Sequence, residues 1–266
     1  MLCYLHNKKI FIGGSFLEKE IAIVTGGASG IGLAIAEELM AQNIQVVAAD
    51  LNQEMLNKLT NENELFDGQT VNVTDEANVK EFIDYVTTKY GHIDRSFHVA
   101  GALKQGAITE QSLEDWNFTV NIILNGVFLF TKYVGQQMKK QNHGNIVNIA
   151  SLNAHVPMFY GAAYSSAKAG VEMLTKSSAL EFSDYHINVN TILPGVIATP
   201  INQEMLADET ISQRYQERIP LKRPGRPDEL AKPAVFLSSP DASYINGTSL
   251  VVDGGWEITG YPDLRK

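Results

Sequence analysis

Strand-like apolar segments alternate with helix-period stretches along most of this chain. In the first such stretch Ile31, Ile35 and Leu39 recur every four residues, which places them on one face of a helix. Strands that alternate with helices of this length form βαβ units, so we expect a parallel sheet with helices on both faces. The seven predicted strands are Ile21–Thr25, Gln45–Asp50, Thr70–Val73, Asp94–Ala100, Asn145–Ser151, Ile187–Leu193 and Ser249–Val252.

The composition excludes several classes of protein. The chain has 266 residues, 44% of them hydrophobic, which suits one large domain with a packed core. Its formal net charge of −9 would repel a phosphate backbone, so nucleic acid is not an expected partner. No uninterrupted apolar run approaches the roughly 18 residues that a membrane-spanning helix needs, so no membrane association is expected. The single cysteine, Cys3, cannot form an internal disulfide, which favours the reducing cytoplasm.

Two parts of the chain depart from the alternating pattern. Residues 1–17 are expected to form a flexible N-terminal extension, with an extra strand or an oligomer contact as the alternative. Residues 18–266 are then a single domain. The long irregular stretch Pro194–Pro227 is rich in proline, and such stretches inside compact domains usually have a function. We therefore predict a substrate lid over about residues 195–226.

A glycine-rich turn follows the first predicted strand and leads into a helix. It reads Gly26-Gly27-Ala28-Ser29-Gly30-Ile31-Gly32. Its glycines allow the backbone to approach a pyrophosphate closely, and the helix N-terminus supplies free N–H groups. Asp50 ends the next strand, where a carboxylate can accept both hydroxyls of an adenosine ribose and would repel a 2′-phosphate. The sequence therefore favours NAD over NADP as the cofactor.

Tyr164 and Lys168 lie four residues apart, on one face of a predicted helix. A phenol with a pKa of about 10 is a poor base at neutral pH, and a neighbouring cation favours its ionised form. The same spacing occurs in two other pairs, Tyr4/Lys8 and Tyr85/Lys89. Only the Tyr164 pair follows a strand that ends in a serine, Ser151. Because open α/β sheets bind ligands at the carboxyl ends of their strands, this pair is the candidate for chemistry.

These motifs, in this order, resemble the short-chain dehydrogenase/reductase family over roughly residues 20–255. The resemblance implies a Rossmann-type, doubly wound α/β fold with a seven-stranded parallel sheet. It also implies a catalytic tetrad of Asn121, Ser151, Tyr164 and Lys168. In that tetrad Tyr164 exchanges a proton with the substrate oxygen, which Ser151 orients. Lys168 lowers the tyrosine pKa and bonds the nicotinamide ribose, while Asn121 anchors a water in the proton relay.

The resemblance also implies where cofactor and substrate bind. The expected cofactor-binding residues are Gly26, Ser29, Gly30, Ile31, Gly32, Asp50, Leu51, Asn72, Val73, Ala100, Gly101, Tyr164, Lys168, Pro194, Gly195, Val196, Ile197 and Thr199. The expected substrate contacts are Ser151, Asn153, His155, Tyr160 and Tyr164. No metal-ligand cluster accompanies these residues, so no metal is expected.

One motif departs from the family pattern. The family usually carries Asn-Asn-Ala-Gly after the fourth strand, and this chain has His98-Val99-Ala100-Gly101. The missing amides put sheet-stabilising hydrogen bonds in doubt. We expect His98 to replace one of them as a structural hydrogen-bonding residue and not as a catalyst.

The expected activity is that of an NAD(H)-dependent oxidoreductase, which interconverts a secondary alcohol and a ketone, or a sugar and its lactone. Features of the C-terminal third, among them Ala242-Ser243-Tyr244 and Asp253-Gly254-Gly255, resemble the bacterial glucose 1-dehydrogenase branch and favour a sugar or polyol. Two alternatives remain open, an NADPH-dependent 3-ketoacyl-type reductase and a catalytically silent nucleotide-binding scaffold. The family usually assembles as homotetramers or homodimers, and the same is expected here.

Overall fold

The computed structural model describes residues 9–12 and 15–260, with side chains described from Lys19 onward. Strands β1 (Lys9–Ile12) and β2 (Ser15–Glu18) pair antiparallel in a small sheet of their own. The described part of the expected N-terminal extension therefore contains strands, the alternative to a flexible segment. The rest of that extension lies outside the described residues.

A seven-stranded parallel sheet forms the centre of the fold, as predicted. The strand order is β5-β4-β3-β6-β7-β8-β9, so the chain winds outward from β3 in both directions. The direction of winding changes between β3 and β6, and such a change opens a crevice at the carboxyl ends of these two central strands. The strands are β3 (Ile21–Thr25), β4 (Gln45–Asp50), β5 (Phe66–Thr70), β6 (Arg95–His98), β7 (Gly144–Ile149), β8 (Ile187–Pro194) and β9 (Ser249–Val252).

The third predicted strand began four residues too late and ended three residues too late, so it shares only Thr70 with β5. The prediction followed the apolar residues Val71 and Val73, whereas pairing with β4 begins at Phe66, opposite Val46. Strand β5 carries Asp67, a buried carboxylate that an apolar pattern does not reveal. The remaining six predicted strands overlap the observed ones.

Helices cover both faces of this sheet. On one face, α1 and α9 pack through Ile35, Leu39 and Leu230. On the other, α3 and α5 contribute Phe82 and Phe130 to a second core. The helices are α1 (Gly30–Ala41), α2 (Gln53–Glu62), α3 (Glu76–Tyr90), α4 (Leu113–Val120), α5 (Gly126–Gln141), α6 (Ala162–Phe182), α7 (Gln203–Ala207), α8 (Glu209–Arg218) and α9 (Pro227–Leu237).

Helices α4 and α5 are joined by a π-helical turn, Asn121–Asn125, into one long helix. Over Leu113–Gln141 this helix is long and apolar enough to cross a membrane by length and composition, and 44% of its most apolar window is buried inside the protein. Polar residues such as Asn125 and Lys132 interrupt its apolar residues, so a criterion of uninterrupted apolar runs does not detect it. The core helix of a soluble protein meets the same criteria, and Phe130, Val134 and Met138 lie in the core.

A buried polar network crosses the middle of the sheet. His98 Nδ1 lies 2.8 Å from Asn148 Oδ1, and His98 Nε2 lies 2.9 Å from Ser96 Oγ. An amide oxygen only accepts, so Nδ1 carries the proton and Ser96 donates to Nε2. Asn148 in turn donates to Thr175 of α6 at 2.9 Å. Burial lowers the pKa of His98 to about 4, so the ring stays neutral and is a structural hydrogen-bonding residue, as expected.

Candidate active site

The glycine turn between β3 and α1 has a shape that only glycine permits. Gly26 and Gly30 have φ values of +67° and +56°, which other residues rarely adopt. A Cβ on Gly26 would lie 3.1 Å from the Ala100 backbone, and one on Gly32 would lie 2.1 Å from the Gly26 carbonyl oxygen. The turn therefore packs directly against the end of β6 and leaves the N-terminus of α1 open to the crevice.

A cleft of about 570 Å³ opens in front of this turn. Most of the predicted cofactor-binding residues line it, namely Gly26, Ser29, Gly30, Ile31, Gly32, Asp50, Leu51, Asn72, Val73, Ala100, Gly101 and Thr199. The cleft is also lined by residues that were not predicted from the sequence, namely Ala49, Val71, Thr74, Val99, Ala102, Phe118, Ile122, Pro200 and Ile201. Several of these residues directly follow a strand or lie next to a motif residue. Only that position in the sequence could have indicated that they line the cleft.

Asp50 joins the end of β4 to the glycine turn. One carboxylate oxygen accepts from the Ala28 N–H at 3.1 Å, and the other accepts from the Asn52 N–H at 3.0 Å. Among the described residues that line this first cleft, Asp50 alone is charged. A glycine cradle, a helix N-terminus and one carboxylate fit the pyrophosphate and the adenosine ribose of a nicotinamide dinucleotide.

A second cleft of about 170 Å³ adjoins the first, and residues such as Ile31, Val99 and Thr199 line both. This second cleft brings together much of the predicted chemistry, namely Ser151, Tyr164, Lys168, Pro194, Gly195 and Ile197. Val196 lines neither cleft, and its carbonyl oxygen accepts from the Gly225 N–H at 2.9 Å. The second cleft is also lined by residues that were not predicted from the sequence, among them Ala102, Ile149, Ala150, Ile201 and Asn202.

Ser151 and Tyr164 face each other in the second cleft. Ser151 follows β7, is 7% exposed, and accepts a hydrogen bond from the Asn153 N–H at 3.1 Å. Burial raises the pKa of Tyr164, and a hydrogen bond with Ser151 acts in the opposite direction. The phenol is therefore protonated at neutral pH and able to donate.

Lys168 lies one turn beyond Tyr164 on α6 and is buried, 5% exposed. Its ammonium donates to the Ile149 carbonyl oxygen at 2.6 Å and lies 5.7 Å from the centre of the Tyr164 ring. Burial lowers the pKa of Lys168 to about 7. The arrangement differs from the expected one, because the lysine is only partly charged at neutral pH and bonds a carbonyl, while the tyrosine pKa lies above its ordinary value.

Asn121 lines the first cleft, whereas these three residues line the second. It begins the π-helical turn, is exposed, and accepts a hydrogen bond from Asn125 at 2.7 Å. The residue of this turn that faces inward is Ile123, which is fully buried in the apolar cluster against which Tyr164 packs. The structure therefore brings together three of the four expected tetrad residues, with an isoleucine on the inner side of the turn.

Three expected substrate contacts line neither cleft. Asn153 donates to the Val156 carbonyl oxygen, and the His155 ring bonds two carboxylates. Tyr160 is 64% exposed with a φ of +60°. These three residues were assigned from the family resemblance, and in the structure none of them lines either cleft. No group of three metal-ligating side chains occurs among the described residues.

Comparisons with known proteins agree with this site. The family model described as enoyl-(acyl carrier protein) reductase matches residues 26–257. The chain is 36% identical to a 3-oxoacyl-(acyl-carrier-protein) reductase, FabG, of Thermotoga maritima, over 91% of this chain and 99% of that protein. It is 37% identical to a D-threitol dehydrogenase of Mycolicibacterium smegmatis, over 91% and 94% of the two chains. The structure of levodione reductase superposes with a TM-score of 0.85 at 31% identity, over 90% of this chain and 98% of the other.

A parallel sheet with a glycine cradle, next to a serine, a tyrosine and a lysine, defines an oxidoreductase that uses a nicotinamide cofactor and acts on CH–OH groups. With matches of this extent, the chain belongs to the short-chain dehydrogenase/reductase family.

Proposed function

We propose that the chain is an NAD(H)-dependent oxidoreductase that interconverts a secondary alcohol and a ketone, or a sugar and its lactone. The observation that carries this proposal is the convergence of Ser151, Tyr164 and Lys168 in a cleft that adjoins the dinucleotide cleft. All three are positioned by regular structure, the end of β7 and the first two turns of α6.

The nicotinamide ring, when bound, supplies or accepts the hydride. The protein supplies the proton. Tyr164 exchanges it with the substrate oxygen, and the Ser151 hydroxyl donates to that same oxygen and stabilises its developing charge. Lys168 provides a buried positive charge close to the phenol in the fraction of molecules where it is protonated. Residues of the stretch 194–199 would hold the nicotinamide end of the cofactor.

The lining of the second cleft supports a neutral substrate. Among its described lining residues Lys168 is the only charged one, and Lys168 is bonded to a backbone carbonyl. A substrate with a carboxylate or phosphate would find no free cation there. A sugar or polyol stays our first choice, and similarity to a D-threitol dehydrogenase supports it.

The second candidate is an NADPH-dependent 3-ketoacyl-type reductase, which the similarity to FabG favours. The charge at the first cleft argues against it. Asp50 would repel a 2′-phosphate, and no cationic side chain is among the described residues that line this cleft. The net charge of −9 also disfavours an acidic carrier protein.

A substrate panel separates the two candidates. Reduction of NAD or NADP is followed with sugars, polyols and alicyclic secondary alcohols, and oxidation of NADH or NADPH with a 3-oxoacyl thioester. We expect turnover with NAD and a neutral alcohol. Turnover of the thioester with NADPH alone would establish the second candidate, and NADH binding without any turnover would support the silent scaffold.

Replacing Asp50 by alanine tests the cofactor assignment. Loss of a charged acceptor from the ribose hydroxyls costs about 1.5–3 kcal/mol, so the Kd for NADH should rise by roughly tenfold or more and discrimination against NADPH should shrink. Titration of both cofactors by fluorescence measures this. Glu54→Ala is the matched control, an exposed carboxylate four residues away that lines neither cleft. An unchanged cofactor preference would remove the argument for NAD.

The proposal includes a cytoplasmic location, no nucleic-acid or membrane partner, and a homotetramer or homodimer. Light scattering of the purified protein measures the assembly.

A further inference from the structure

The imidazole of His155 bonds a carboxylate on each side. Its Nε2 lies 2.9 Å from Glu172 Oε2, and its Nδ1 contacts Glu257 Oε1. Carboxylate oxygens at neutral pH only accept hydrogen bonds, so both ring nitrogens must carry a proton and the ring must be cationic. The hydrogen bond with Glu257 raises the pKa of His155, and the bond with Glu172 adds to this effect.

The three residues belong to three different parts of the fold. His155 ends the short turn that begins at Ser151. Glu172 lies two helical turns beyond Tyr164 on α6, is largely buried, and also accepts from Lys176 at 2.6 Å and Ser249 at 2.8 Å. Glu257 lies in the C-terminal segment, residues 253–258, which follows β9. His155 therefore connects the turn after the candidate catalytic serine to the C-terminal segment.

The C-terminal segment also contacts the predicted lid. Trp256 packs edge-on against Tyr215 of α8, with ring centres 5.5 Å apart. The Leu221 N–H donates to the Gly254 carbonyl oxygen at 3.2 Å. Within the segment, Asp253 accepts from the Glu257 N–H at 2.6 Å, which fixes the backbone that presents Glu257.

We propose that His155 is a positioning residue which, through Glu257, fixes the C-terminal segment and the lid helix α8 relative to the turn that carries Ser151. The lid helix then has a defined position relative to the second cleft, because the C-terminal segment that it contacts is bonded to the turn that carries Ser151. Only the kinetic test below rests on the proposed function.

The first test uses His155→Gln, Glu257→Gln and the double variant. If the two residues act through one contact, each single variant should raise KM for the substrate by about three- to tenfold, and the double variant should do no more than either. The change should be larger in KM than in kcat, because Ser151 and Tyr164 are retained. The control is His143→Gln, a histidine that bonds Asp94 at 3.1 Å and lines neither cleft.

The second test needs no substrate. The chain has two tryptophans, so Trp116→Phe leaves Trp256 as the single indole. Its emission should shift toward that of a water-exposed indole in His155→Gln and Glu257→Gln, and should not shift in His143→Gln.

Additive kinetic effects, or emission that is unchanged in both single variants, would overturn the proposal. Thermal unfolding of each variant shows whether it is folded. If His155→Gln does not fold, Glu257→Gln carries the test, because the Glu257 side chain is partly exposed. Absence of turnover in the unmodified protein would instead count against the proposed function, and the emission measurement would still decide the role of His155.

Discussion

Two helices of this protein carry a tyrosine followed four residues later by a lysine, and the pairs have opposite properties. In α3, Lys89 donates to the Tyr85 hydroxyl at 2.8 Å and to Asp67 at 2.9 Å. In α6, Lys168 donates to a backbone carbonyl oxygen, and its tyrosine bonds Ser151. The same sequence spacing thus forms a structural ion cluster in one place and a candidate catalytic group in the other.

The carboxylate of Asp67, which bonds the pair in α3, accounts for the difference between the two tyrosine–lysine pairs. Partial burial lowers the pKa of Lys89, but its bonds to Tyr85 and Asp67 outweigh this and hold the lysine fully charged. Burial and the bond to Asp67 together raise the pKa of Tyr85, so it is a poor base. Among the described residues no carboxylate bonds Lys168, and burial brings its pKa to about 7. A tyrosine–lysine spacing predicts chemistry only where no acid neutralises the lysine.

The largest expected effect comes from removing the Tyr164 hydroxyl, and removal of the Tyr85 hydroxyl is the matched comparison. Tyr164→Phe should lower kcat by about 10²- to 10⁴-fold, the range for loss of a general acid or base, with little change in NADH affinity. Tyr85→Phe should leave kcat unchanged. Steady-state turnover with the substrate found in the panel measures both. Comparable activity of the two variants would show that the spacing in α6 has no catalytic meaning.

Removing the two lysines should change stability in opposite directions. Lys168 binds a proton less readily in the folded protein than in the unfolded chain, so the free energy of unfolding rises with pH between about 7 and 10.5. At pH 7, Lys168→Met should therefore be inactive but more stable by about 1–3 kcal/mol. Lys89→Met should be active and less stable, because Asp67 loses its cation. Denaturant unfolding at pH 7 and pH 10 measures both, and a destabilised Lys168→Met would contradict this reading.

A smaller effect is expected at Asp67, which is 7% exposed and accepts hydrogen bonds from Gln69, Tyr85, Lys89 and Tyr90. Burial raises its pKa, but these bonds outweigh burial and leave the pKa lowered. Its contribution to stability is thus present above the unfolded pKa and is lost as pH falls through the folded one. Asp67→Asn should cost about 1–2 kcal/mol at pH 7 and leave turnover intact. Reduced turnover of Asp67→Asn would mean that the hydrogen bonds between Asp67 and helix α3 affect the active site.

Much of the fold could be predicted from the sequence because its apolar periodicity is strong. The strand β5 was misplaced because its buried Asp67 carries no apolar signal. At the site, the glycine turn and the Tyr164 pair are local motifs, and the structure places them at the two adjoining clefts. Asn121 was assigned from the family resemblance, and the sequence carries no signal for the π-helical turn that it begins. His155 could not be placed, because both of its partners are more than ten residues away.

The buried network around His98 makes the contribution of the central strand β6 to stability depend on pH. With a folded pKa of about 4 against an unfolded value of about 6.5, the ring contributes stability that is complete above pH 6.5 and falls by about 3 kcal/mol toward pH 4. Asparagine, which the family usually carries here, does not titrate. A His98→Asn variant should therefore unfold with a weaker dependence on pH between 7 and 4, measured by denaturant midpoints. Acid unfolding of this protein would then depend on a histidine of the central strand as well as on carboxylates such as Asp67.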